Sequence, residues 1–330
     1  MTQPLTYLEI FNRYAYTTIT ELLRQKIDIW NGASQNAIVL QAGQNEGDYS
    51  FAARYKKLSG LVVRRDPKAE DALTALNLEH LKDVSVKVGA GTLPVRIDPG
   101  DWAWIQRSPE EAAVVIGQQL AGDMMADMLN TGIAALYSAM MNDSTDIEYD
   151  GSAAALSLGA LVGGARLFGD QADQIKVWVT HSQPLFDLLA SNLTNSSNLF
   201  QFGNVNILQD GFGRLFIQTD SPALVTEDGV ESDVDEYHVL GLTPGALMIE
   251  QNNDFDTNVE TKNGYANIQR TIQHQWSYNV GCKNYAWNVS SGGPAPTNAT
   301  LQTSANWTSL ASDVKDLPGV IVNCRLAADV

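Results

Sequence analysis

The sequence predicts an α+β protein on three observations. A single long apolar periodicity follows Ser108, two β-prone but weakly hydrophobic stretches flank a basic segment before it, and helices alternate with short strands after Asp150. Strand and helix signals segregated in this way belong to an α+β architecture rather than to a regular βαβ repeat.

Residues 1–45 read as an arm. Leu22, Leu23, Ile27 and Trp30 fall near helical spacing, which predicts a helix from Thr20 to Ile29 and no other capped helix in the arm. Asn31-Gly32 then marks a turn into a short strand at Ala37 to Leu40. In residues 46–100, β-prone stretches from Tyr49 to Arg65 and from Val84 to Ile97 bracket the polar, helix-leaning Asp66 to Lys82, and together they read as a long hairpin. Arg54, Lys56, Lys57, Arg64, Arg65 and Lys68 stand against Asp66 alone, a net of +5; the whole chain has 21 basic and 38 acidic residues, or −17, so the remainder carries −22. Such a hairpin suits a docking element and a solvated surface loop equally, and the residues alone leave both open.

In residues 101–149, Ser108-Pro109-Glu110-Glu111 combines an N-cap serine, a proline at the first helical position and a glutamate placed to close a capping box. Apolar positions recur at Ala113, Ile116, Leu120, Met124, Met128, Ile133, Leu136, Tyr137 and Met140. The implied helix is roughly 50 Å long at about 1.5 Å per residue, longer than a small domain is wide. Gly117, Gly122 and Gly132 each weaken it by about 1 kcal/mol relative to alanine, which implies close backbone approach or slight curvature there. Its methionines read as adaptable packing rather than as a cofactor site.

Residues 150–240 form a compact lobe: an Ala/Leu/Gly helix to Phe168, a strand from Lys176 to Thr180, a helix from Gln183 to Ser191, and strands at Val205 to Leu208 and Arg214 to Thr219 around the turn signal Asp210-Gly211-Phe212-Gly213. Ser182 is placed to cap the second helix. Tyr237 to Leu242 and Ala246 to Glu250 are strands, and Asn267 to Val280 alternates as a long half-buried one, making residues 241–289 a strand-rich part. Residues 290–330 open with the linker Ser290-Ser291-Gly292-Gly293-Pro294 and close on a strand at Val320 to Val322.

Composition excludes several classes. At 44% hydrophobic and 18% charged the chain is a soluble folded type, and Ala112 to Met141 is interrupted by Gln118, Gln119, Asp123 and Asp127, which rules out an ordinary membrane span. Cys282 and Cys324 provide no disulfide framework, and the start lacks a secretory pattern, so a reducing, cytosolic site of synthesis is expected. A surface this acidic opposes sequence-specific DNA binding. No phosphate-binding, nucleophile-elbow or zinc-helix motif occurs, and His80, His181, His238 and His274 lack a second ligand at metal spacing, so no catalytic residue, cofactor or metal is expected. Glu231, Asp233 and Asp235 miss the calcium-loop spacing and read as a solvated acidic loop.

The order of these parts resembles the major capsid proteins of tailed bacteriophages with the Hong Kong 97 fold. The resemblance spans nearly the whole chain. It rests on Thr17-Thr18-Ile19-Thr20 and Asn31-Gly32-Ala33-Ser34 in the arm, Gly47-Asp48-Tyr49 opening the hairpin, and the Ser108-Pro109 helix. Val177-Trp178-Val179-Thr180-His181-Ser182, Gly211-Phe212-Gly213-Arg214, Tyr237-His238-Val239-Leu240-Gly241, Pro296-Thr297-Asn298 and Ala305-Asn306-Trp307 carry it onward. It implies an N-terminal arm, an extended E-loop hairpin, a peripheral domain with a long spine helix and long strands, and a compact axial domain. It further implies copies of itself in hexamers and pentamers of an icosahedral head that encloses double-stranded DNA, a portal, and scaffold or decoration proteins, with assembly in the bacterial host. Some relatives cross-link lysine to asparagine, but neither residue aligns here. An encapsulin-like compartment shell shares the fold, though the long tail and arm oppose it; an α/β hydrolase built on the 150–240 lobe has only the position of His181 in its favour.

The physics agrees with a shell. A hairpin docked on a neighbour is a heterologous contact, the kind that generates rings and lattices. Charge on that hairpin supplies steering and register more than affinity. Arg54, Lys56, Lys57, Arg64, Arg65 and Lys68 are therefore the candidate contacts on one side, and Glu110, Glu111, Glu231, Asp233 and Asp235 on the other.

Overall fold

The computed structural model describes residues 3–55, 62, 64, 68, 75, 77–98, 100, 103, 105, 107–191, 199–202, 205–209, 214–226 and 235–326. The longer helices are α1 (Gln3–Ala33), α2 (Pro109–Met140), α3 (Leu158–Ala165) and α4 (Ser182–Ser191). The strands up to the lobe are β1 (Ile38–Gly43), β2 (Tyr49–Tyr55), β3 (His80–Gly91), β4 (Val95–Ile97) and β5 (Glu148–Tyr149). Within and after the lobe come β6 (Val177–Thr180), β7 (Leu199–Phe202), β8 (Val205–Gln209), β9 (Leu215–Gln218), β10 (Val225–Thr226) and β11 (Glu236–Leu242). The rest are β12 (Leu247–Asn252), β13 (Asp256–Lys262), β14 (Gln269–Cys282), β15 (Tyr285–Trp287), β16 (Trp307–Ser309) and β17 (Gly319–Cys324).

The arm differs most from expectation, because a helix expected over Thr20 to Ile29 runs from Gln3 to Ala33. Thr17-Thr18-Ile19-Thr20 is a β-branched, weak helix-forming run, and tertiary packing overrides it. Ala15, Ile19, Leu23, Ile27 and Trp30 form one buried stripe along α1. A Cβ at Gly117 would stand 3.3 Å from Thr18 Cγ2, and one at Gly122 would stand 3.3 Å from Lys26 Nζ, so α1 and α2 lie parallel at close range. The turn follows at Gln35 and Asn36, both at positive φ, rather than at Asn31-Gly32. Asn31 instead clamps the next strand, its amide donating to the Leu40 carbonyl at 2.7 Å and its oxygen accepting from the Leu40 N–H at 2.8 Å.

Helix α2 starts where Ser108-Pro109 places it, with Ser108 at the cap and proline in the first turn, but the serine side chain makes no capping bond. Met124, Met128 and Met140 are fully buried, as packing methionines should be. Ser182 is likewise not the cap of α4. His181 takes that role, its Nδ1 accepting from the Gln183 N–H at 3.3 Å.

Two sheets organise the strands. The first has the order β1-β12-β14-β15-β16, with β3, β4 and β13 also on the long β14 and β2 on β3. Its β1 pairs with β12 in parallel across more than half the chain. The second has the order β5-β17-β11-β6-β9-β8-β7, so the closing strand from the C-terminal segment lies beside β11. β11 and β12 are neighbours in sequence yet belong to different sheets, and the chain crosses between them at Gly245, whose φ of 70° suits glycine. Half-buried Tyr137 on α2 stacks on the buried His238 of β11 at 4.8 Å, which ties the helix to the second sheet.

Candidate inter-subunit surface

The hairpin is built by the β2–β3 register, Tyr49 opposite Val86 through Tyr55 opposite His80. β3 also pairs with β14, but only from Gly91 back to Val86. Beyond that point the ribbon of β2 and β3 leaves the sheet. Two strands alone are marginally stable in water, and this ribbon is anchored in the larger sheet through the β3–β14 pairing at its root.

Alternation along β2 places Tyr49, Phe51, Ala53 and Tyr55 on one face. Phe51 is 64% exposed and Tyr55 60%, and Tyr55 packs on the His80 ring at 4.3 Å. The result is an aromatic stripe leading directly into the +5 segment. Its root is fixed by a polar clasp: the Asn45 N–H donates to Asn252 Oδ1 at 3.1 Å, the Asn45 amide donates to Asn279 Oδ1 at 3.3 Å, and Lys87 donates to the Asn45 carbonyl at 3.3 Å. Lys87 is further held 3.5 Å from Asp254.

The candidate charges fall on separate parts of the subunit. Arg54 is in β2, Arg64 and Lys68 are exposed beyond it, Glu110 and Glu111 are in the first turn of α2 with Glu111 exposed, and Asp235 is half-buried just before β11 in the other sheet. Lys56, Lys57, Arg65, Glu231 and Asp233 lie outside the described residues, as does the turn at 210–213.

Sequence reasoning missed a groove along α2. Two adjoining cavities of about 240 and 440 Å³ share Asp127 and Asn298 in their walls. Asp127 is half-buried; burial pushes its carboxyl above the usual aspartate range, and the Tyr278 hydroxyl, donating to Oδ2 at 3.0 Å, offsets part of that rise. The signal was an acidic residue within the apolar run of α2, which the sequence showed only as an obstacle to membrane insertion.

Groups that could carry covalent chemistry are engaged structurally. His181 caps α4 through Nδ1, and its Nε2 lies 3.8 Å from the exposed Asp220. Both cysteines are free and buried, and burial drives the Cys324 thiol up to about 12 and Cys282 higher still, so both remain protonated, weak nucleophiles. Among the described residues no cluster of three or more His, Cys, Asp or Glu could hold a metal, and no helix is long and apolar enough to cross a membrane.

A long spine helix beneath two sheets, with a ribbon projecting from the base of one of them, defines the class: a capsid subunit of the Hong Kong 97 fold. The chain is similar to a chain in the head structure of Helicobacter pylori bacteriophage KHP40, at 11% identity and a TM-score of 0.54, covering 90% of this chain and 88% of that one. It is similar to chains of the cyanophage Pam1 capsid, at 12% identity, TM-score 0.51 and 88% coverage of each chain, and of the Ralstonia phage GP4 capsid, at 9% identity, TM-score 0.51 and coverage of 88% and 87%. No curated protein sequence matches it. The profile of the Gp13-like family, major capsid protein 13-like, matches residues 7–321, and the chain belongs to that family. It is a structural shell protein of a phage capsid, and its place is the virion.

Proposed function

We propose that this subunit assembles into hexamers and pentamers of an icosahedral head enclosing double-stranded DNA, each hairpin lying on the adjacent copy. The observation that carries the reading is the two-stranded ribbon itself, with Phe51 and Tyr55 exposed on one face and the +5 segment beyond it. Covering that face removes apolar area from water at roughly 25 cal/mol per Å². Arg54, Lys56, Lys57, Arg64, Arg65 and Lys68 then set register against carboxylates of the neighbour, with Glu110, Glu111, Glu231, Asp233 and Asp235 as candidates. The −22 remainder gives packaged DNA little to adhere to.

The parts divide as an arm over 1–45, an E-loop over 46–100, a peripheral domain with the spine helix over 101–149, an axial domain over 150–240, peripheral strands over 241–289 and a C-terminal segment over 290–330 whose closing strand lies in the second sheet. A portal and scaffold or decoration proteins complete the set of partners, and assembly takes place in the host cytoplasm. The subunit acts as a building block without a catalytic step. Electron microscopy of the expressed chain tests the core of this reading: closed shells are expected, and a persistently monomeric product overturns it. Heads from infected cells that contain no DNA would overturn the enclosure of nucleic acid.

A further inference from the structure

We propose that Asn263, at the tip connecting β13 to β14, is a site of spontaneous deamidation, the Gly264 nitrogen closing on its side-chain carbonyl to leave an aspartyl or isoaspartyl residue. The inference is independent of how subunits assemble, because the reaction needs only water and the chain itself.

In an Asn-Gly or Asp-Gly pair the glycine has no Cβ, so its nitrogen can swing within reach of the preceding side-chain carbonyl carbon. The chain has five such pairs, Asn31-Gly32, Asp150-Gly151, Asp210-Gly211, Asp228-Gly229 and Asn263-Gly264, of which those at 210 and 228 lie outside the described residues. Two of the others are locked. Asn31 and Gly32 are within helix α1, and the Asn31 side chain is held at both ends by Leu40, through its amide at 2.7 Å and its oxygen at 2.8 Å. Asp150 Oδ1 accepts from the Ser152 N–H at 3.1 Å and from the Ser152 hydroxyl. A Cβ at Gly151 would stand 2.5 Å from the Asn323 carbonyl oxygen, so that backbone is packed against β17 and cannot bend into a ring.

Asn263 has none of these restraints. Strand pairing ends where Lys262 stands opposite Gln269, and residues 263–268 beyond it are all exposed. Gly264 sits at a φ of 96°, with no atom of another segment within 4 Å of where a Cβ would stand. The Asn263 side chain has no hydrogen-bond partner among the described residues. An exposed tip of this kind samples the bent conformations that a packed turn excludes. The Gly264 nitrogen gives up its hydrogen and bonds to Asn263 Cγ, the Cγ–Nδ2 bond breaks, and ammonia leaves with that hydrogen. Water then opens the succinimide at either carbonyl: attack at Cγ gives aspartate, and attack at the main-chain carbon gives isoaspartate, in which the backbone runs through the former side chain. The balance is amide plus water to carboxylic acid plus ammonia, with no oxidant or metal. The product sets a new carboxylate beside Lys262, which already lies 3.4 Å from Glu260 in an exposed pair, so the tip gains negative charge.

Ageing the purified full-length subunit in mildly alkaline buffer, followed by digestion and mass spectrometry of the Asn263 and Asn31 peptides, tests this. In the folded chain the Asn263 peptide is expected to gain the mass of an amide-to-acid exchange and to split into two isomers, isoaspartate the larger, before any loss of Asn31 is detectable. In urea, where the Leu40 clamp and helix α1 are gone, both peptides should convert at similar rates. Asn263→Gln, whose longer side chain would have to close a larger and slower-forming ring, should remove the product without changing the fold, since the site is exposed. An Asn263 that persists in the folded chain while converting in urea overturns the proposal. So does aspartate formed without isoaspartate, which would bypass the Gly264 nitrogen, or an Asn31 that converts as fast as Asn263 in the folded chain.

Discussion

Tyr278 donates its hydroxyl hydrogen to Asp127 Oδ2 across 3.0 Å, joining the longest strand to the spine helix in the wall of the groove. The bond couples a core aromatic, 1% exposed, to a half-buried carboxylate.

That pairing gives the isolated subunit a defined pH response. Burial raises the Asp127 pKa above the ordinary value of about 3.9. Between that value and the raised one, the folded chain holds a proton that the unfolded chain has released. The stabilisation from this group is therefore full below about pH 3.9 and lost as pH rises through the folded value. Asp127→Asn is neutral throughout and removes this contribution to the slope while still accepting from Tyr278. Urea midpoints of unassembled subunit are expected to show the variant at least as stable as the parent at pH 7, with the difference shrinking towards pH 4. A parent and variant that run parallel across that range would contradict the assignment.

Gly241 in β11 faces the Trp178 ring so closely that an added Cβ would stand 2.4 Å from the nearest ring carbon. The ring is fully buried and cannot retreat. Gly241→Ala is expected to destabilise the subunit by about 1–3 kcal/mol through overpacking. Gly132→Ala is the contrast, because its Cβ would meet the flexible ends of Ile249 and Leu247, and alanine returns about 1 kcal/mol of helix propensity. Chemical denaturation should therefore show a large loss for the first and a change near zero for the second.

His238 links β10, β11 and β17 from within. Its Nδ1 donates to Asn323 Oδ1 at 2.9 Å, and Nε2 accepts from Thr226 Oγ1 at 2.8 Å. Asn323 in turn donates to Glu148 on β5. His238→Leu keeps the apolar bulk but strands a buried amide oxygen, an expected cost of about 1–3 kcal/mol read from the unfolding midpoint. Pairing it with Asn323→Leu should recover part of the loss, because the stranded group is then removed; no recovery would show that the ring acts by packing on Tyr137 alone.

What could be read in advance followed the locality of the signal. Ser108-Pro109 marked the start of α2 and the alternation from Ile268 to Val280 marked β14, since both are short-range patterns. Helix α1 was hidden because its stabilisation comes from α2, some hundred residues away in a chain where Thr17 to Thr20 favours strand. The partition of β11 and β12 between sheets was also hidden, because parallel β1 selects β12 from across the chain. Positive charge on the hairpin was legible as composition, whereas the groove was not, since Asp127, Ser221, Trp276 and Asn298 converge only after folding.

The aromatic face of the hairpin separates folding from assembly. Phe51 and Tyr55 are each more than half exposed, so replacing both with serine should change the unfolding midpoint of the isolated subunit little, within about 0.5 kcal/mol per site. If a neighbour covers the face, the same change removes about 1.5–3 kcal/mol of burial at Phe51 in every copy. Shell yield by sedimentation should then fall sharply while the subunit remains folded by circular dichroism. Lys56→Glu with Lys57→Glu should act through a different term, lowering yield at low salt and flattening its dependence on ionic strength, because screening already weakens exposed charge pairs over about 10 Å at 0.1 M. Unchanged yield in the serine variant together with an unchanged salt response in the glutamate variant would remove the hairpin from the inter-subunit contact.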